Sequence, residues 1–70
     1  MSEAALRELL SHERFHPFTI HLSDGKSYEV RHPENMLVTK SRVIIAFPEI
    51  DKVVIAALLH VTSVSMLQSA

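Results

Sequence analysis

A chain of 70 residues makes one small domain, and a domain of that size buries only about 60% of the surface its unfolded form exposes. It has no cysteine, which excludes disulfides and cysteine-based zinc sites, and its net charge of -1 is no electrostatic footprint for nucleic acid or an anionic membrane. The chain is nevertheless 47% hydrophobic, with a mean hydropathy of +0.16, and that apolar surplus points to an interface with another chain.

Ser2 is placed to cap a helix, and Glu3 suits the positive end of its dipole. Leu6, Leu9 and Leu10 form one apolar stripe, while Glu3, Arg7, Glu8 and Arg14 fall largely on the other side. Pro17 disfavours helix at His16, so the helix is expected over about residues 3–13. The start Met1-Ser2-Glu3-Ala4-Ala5 lacks the basic and apolar segments of a secretion signal. The longest nearly unbroken apolar run, Val53 to Leu59, is far shorter than a membrane span. A cytoplasmic location is expected.

Phe18 to Leu22 alternates strictly, with Phe18, Ile20 and Leu22 inward. Tyr28 and Val30 alternate again, with Glu29 and Arg31 outward. Opposed residues share a face, so Ile20 must face Tyr28 and Phe18 must face Val30, which requires an odd loop. Ser23-Asp24-Gly25 meets that condition, with Gly25 in the left-handed position of a bulge. His32-Pro33-Glu34-Asn35 reads as a turn. A short strand is expected at Met36–Thr39 and another at Arg42–Phe47, joined by a tight turn at Lys40-Ser41. Pro48–Asp51 is a turn, Lys52–Ala57 a β-branched strand, Leu58–His60 a helical turn and Val61–Met66 a last strand. Either Val61 or Val64 faces inward, depending on register. The meander thus runs over about residues 18–66 of a single domain, 1–70. The run Val53 to Leu59 is apolar on both faces and needs cover from the helix or from a second copy.

These segments resemble a family of short, uncharacterised bacterial proteins. The likeness covers nearly the whole chain. It is carried by Leu6-Arg7-Glu8-Leu9-Leu10, by Arg14 to Gly25 with its Pro17-Phe18-Thr19-Ile20-His21-Leu22-Ser23-Asp24-Gly25 hairpin, by Tyr28 to Glu34 and by Leu58-Leu59-His60-Val61-Thr62. That family implies no activity. A helix, a Leu-x-Asp-Gly hairpin and further strands also look like the order of the Sm-like small barrels, which form rings through edge strands and bind RNA. Leu59-His60-Val61-Thr62 is similar to the basic-histidine segment of the bacterial RNA chaperone of that fold, with Leu59 where that segment has lysine. The bent, glycine-containing second strand is replaced here by Arg31-His32-Pro33.

Candidate chemistry is sparse. His12 and His16 have metal-ligand spacing, but Pro17 keeps them off one continuous helix and no third ligand lies nearby. His21, Ser27 and Glu29 should share the outward face of the hairpin, where polar cross-strand pairing needs no catalytic explanation. His32, Glu34 and Asn35 could form a recognition loop. The structural alternative has Pro33 setting the bend and Glu34 or Asn35 capping it. His60 is expected to be buried and satisfied by a carbonyl, or else to meet a partner or RNA. Cations are scattered, and one glycine excludes a glycine-rich phosphate loop.

The expected fold is α+β: an N-terminal helix with a five-stranded antiparallel SH3-like or Sm-like barrel. The expected function is a non-catalytic, self-associating interaction module without catalytic residues, metal or cofactor. Its partner is another copy or another protein, and its interface is drawn from Val53, Val54, Ile55, Ala56 and Leu58. The alternative is an Sm-like RNA-binding oligomer.

Overall fold

The computed structural model describes residues 1–67, so residues 68–70 of the expected domain lie outside the described part. It is an α+β fold. Helix α1 spans Glu3–Ser11, and the Ser2 hydroxyl accepts the Ala5 N–H at 3.1 Å. The helix stops two residues before the expected end. Beyond Leu10 the stripe has only polar Glu13 to offer, so another turn would bury nothing, and the Arg14 N–H bonds the His12 ring at 3.3 Å instead.

Strands β1 (Phe18–Leu22) and β2 (Ser27–Val30) pair with Ile20 opposite Tyr28 and Phe18 opposite Val30. Leu22 N–H bonds Lys26 C=O at 2.9 Å, which closes the loop at Ser23-Asp24-Gly25, and Gly25 has φ +88°. A 3-10 turn, Pro33–Asn35, then carries the chain into β3 (Met36–Val38). It is followed by β4 (Arg42–Phe47), a 3-10 turn at Pro48–Ile50, β5 (Lys52–Ala57), a 3-10 turn at Leu58–His60, and β6 (Val61–Met66).

The six extended segments all form strands, where a barrel of five was expected. They form two antiparallel three-stranded sheets of order β2-β1-β6 and β3-β4-β5, and neither sheet closes into a barrel. The difference has a local cause. The break at His32–Asn35 divides what would be one long bent strand into β2 and β3, and leaves each half in a different sheet. Strand β6 returns to β1 with a bulge: Val64 faces Ile20, but Val61 faces Leu22. The extra residue turns Val61 into the core while Val64 still packs against it, so the choice between them dissolves.

The two sheets sandwich a core that includes Phe18, Ile20, Val30, Val43, Ile45 and Val61, each almost completely buried. Helix α1 inserts Leu6 into it. Its Arg7 guanidinium donates to Val38 C=O at 2.7 Å, and the Met1 ammonium donates to Val61 C=O at 3.2 Å. One helix is thereby tied to both sheets. It lies along β3 and does not cover β5, where Val53 and Ile55 stand 60% and 64% exposed.

Candidate interaction surface

The four sheet edges are not equivalent. A free edge offers unpaired amides to any other strand, and proteins blunt it with charge, proline, bulges, brevity or cover. Strand β2 carries the Glu29–Arg31 ion pair, at 2.8 Å, and runs into Pro33. Strand β3 has three residues, and its Val38 carbonyl is occupied by Arg7. Strand β6 is bulged opposite His21 and Leu22. Strand β5 has six residues in unbroken register with β4, no proline, and no charge beyond Lys52.

The open amides of β5 follow from its ladder. Leu58 N–H bonds Ser41 C=O at 2.9 Å. Alternation then gives Ala56 and Val54 the bonds to β4, and turns the amide groups of Val53, Ile55 and Ala57 to the open side. Alongside that edge lies an open groove of about 540 Å³, bordered by Leu22, Ser23, Lys26, Tyr28 and His60. It is the seam where the two sheets do not meet.

The outer faces of the sheets contrast as well. On the second sheet, Leu37, Ile44 and Ile55 stand in register across all three strands, with Ala46 and Val53 as the next pair. Leu37 is 58% exposed, which extends the apolar row to the far strand. On the first sheet the outward positions are Thr19, His21, Ser27, Glu29, Ser63 and Ser65, and the His21 ring bonds the Ser65 hydroxyl at 2.9 Å. One face is polar and internally paired; the other is apolar apart from Arg42, exposed at the start of β4 opposite Ala57.

The five expected interface residues separate by parity. Val53 and Ile55 face outward. Val54 and Ala56 face the core and are half-buried, and Leu58 is a core residue at 8% exposure, so it offers no surface. The outward Leu37 and Ile44 are not among the five: a lone leucine in a three-residue strand shows no pattern, whereas the parity of β4 does place Ile44 outward. Of the expected recognition residues, His32 and Asn35 border a shallow depression of about 150 Å³, with Arg31 and Phe47, and Glu34 lies outside it. The turn itself is closed by Asn35 N–H on His32 C=O at 3.0 Å, and neither Glu34 nor Asn35 caps it. His60 is exposed rather than buried. Its carbonyl accepts Ser23 N–H at 2.9 Å and its Nδ1 meets the Ser23 hydroxyl at 3.1 Å, which pins the 3-10 turn to the hairpin loop.

Among the described residues no three histidines or acids gather as a metal site, and no helix is long and apolar enough to cross a membrane. His12 lies just past the helix end and His16 beyond it, both exposed. Arg7 pairs with Glu3 at 2.8 Å. One cation does meet aromatic rings: Lys52 Nζ lies 5.8 Å from the Tyr28 ring centre and 5.9 Å from that of Phe47. Comparison with models of known protein families, with curated proteins and with solved structures gives no match.

Proposed function

We propose that the protein is a non-catalytic interaction module that associates with copies of itself through β5 and the apolar face to which β5 belongs. The observation that carries this reading is the edge of β5, the least guarded of the four: six residues in unbroken register, with no proline or bulge and a single charge, Lys52, at its start. The Leu37–Ile44–Ile55 row supports it, because it is a contiguous apolar strip on a chain too small to be generously stable alone. The SH3-like or Sm-like barrel stays part of this reading: with β2 and β3 taken as halves of one bent strand, the two sheets would be a small barrel left open along one seam.

A positive charge at the centre of the edge tests the reading. Ile55→Lys replaces a side chain that is already 64% exposed, so the fold should survive. The expected result is unchanged far-ultraviolet circular dichroism and a fall in solution mass to 7.9 kDa. An unchanged oligomer would overturn the assignment of β5.

The RNA-binding reading is favoured by the Tyr28, Phe47 and Lys52 cluster, since bases stack on aromatic rings beside positive charge. Both rings are half-buried and lie against each other, 6.0 Å between centres, which leaves little free face for a base. Salt-sensitive binding of a single-stranded oligonucleotide, lost in Lys52→Ala, would put this reading first.

A further inference from the structure

Resting on that self-association reading, we infer that two copies join by antiparallel pairing of β5 with itself about a two-fold axis at Ile55, and that this pairing closes the open seam of each core. Three features of β5 lead to this arrangement.

The first is the spacing of the open amides. They belong to Val53, Ile55 and Ala57, every second residue. A two-fold axis at Ile55 sets Ile55 against Ile55 of the second copy and Val53 against Ala57 of the second copy. All three residues then exchange bonds with three identical ones, and no open amide of the strand is left over. Such an isologous contact closes on itself and stops at two copies.

The second is charge. Lys52 is the strand's one ionised residue, and in this register it falls past the end of the second copy's β5, beside its 3-10 turn. No like charges meet between the paired strands; Lys52, the one charge with the inward parity of Val54 and Ala56, lies three residues from the axis with its Nζ over the Tyr28 and Phe47 rings. Pairing β5 with β2 of another copy would instead bring it against the Glu29–Arg31 pair. Pairing it with β6 would meet a strand with a bulged start and outward serines.

The third is the incomplete burial of Val54 and Ala56. Both point into the core, yet both remain half-buried, because the core is open along the groove beside them. Paired about Ile55, Val54 lies opposite Ala56 of the second copy. The incoming strand therefore lowers a second alanine and valine into the groove, above Leu22 and Tyr28. On the outer face the row Leu37–Ile44–Ile55 runs on into its own image, giving one six-stranded sheet.

Cysteine cross-linking reads the register directly, because the chain has no cysteine of its own. Hydrogen-bonded antiparallel partners have Cα atoms about 5.5 Å apart, inside the range a disulfide spans. Ile55→Cys should oxidise to a covalent dimer. Val53→Cys and Ala57→Cys should each fail alone, since each lies about 14 Å from its own copy. Mixed together, those two should cross-link to each other. The mixed pair keeps Ile55 in place, so it carries the test even if the Ile55 variant assembles poorly. An oligomer that shows neither cross-link would overturn the two-fold register while leaving self-association standing. A protein that is monomeric at every concentration would overturn both.

Discussion

Gly25 occupies a backbone conformation, φ +88°, that side chains rarely adopt, and an added Cβ there would meet nothing within 4 Å. Gly25→Ala therefore isolates backbone strain from crowding. It should cost roughly 1–2 kcal/mol, seen as a lower urea midpoint at unchanged slope. This role was legible in the sequence because parity left only an odd loop between Ile20 and Tyr28. The environment of His60 was not. Its burial depends on how the 3-10 turn at Leu58–His60 meets the Ser23 loop 37 positions away, a contact that local pattern does not encode. At Val54 and Ile55 alternation decides the roles: one residue belongs to the core and the next to the surface, although both read as equally apolar.

At the scale of elements, α1 depends on tertiary packing. Helix α1 has nine residues and would be marginal alone; Leu6, fully buried, anchors it between the sheets. Leu6→Ala should cost about 2–5 kcal/mol, comparable with the whole stability of so small a domain. Leu59, 86% exposed, is the matched control. Leu59→Ala should change stability by less than about 0.5 kcal/mol in the same urea titration. The bounds of β5 and β6 were readable from β-branched runs between turn residues. Two features of the architecture were not. The break at His32–Asn35 reads as a turn, but its consequence, β2 and β3 in different sheets, depends on long-range pairing. Likewise, which edge stays open depends on β6 returning to β1 rather than to β5. Sequence alone therefore pointed to β5 as the strand of the proposed interface but not to which of its faces lies outward, and not to the outward Leu37 and Ile44 on the neighbouring strands.

Taken whole, the molecule has two unlike sides: a polar sheet face whose side chains bond one another, and a largely apolar sheet face ending in a lightly guarded edge. Hydrophobic burial is the main force available to a chain with no disulfide, and part of its apolar surface is left in water by a single copy. Association and stability are then linked, because a partner that binds only the folded form stabilises it by mass action. The measurement that tests this most directly is solution mass by light scattering along a dilution series, on the full chain. The account predicts twice 7.9 kDa at high concentration, falling toward 7.9 kDa on dilution together with the midpoint of thermal unfolding. A mass of 7.9 kDa at every concentration, with an unfolding midpoint that does not move, would contradict it.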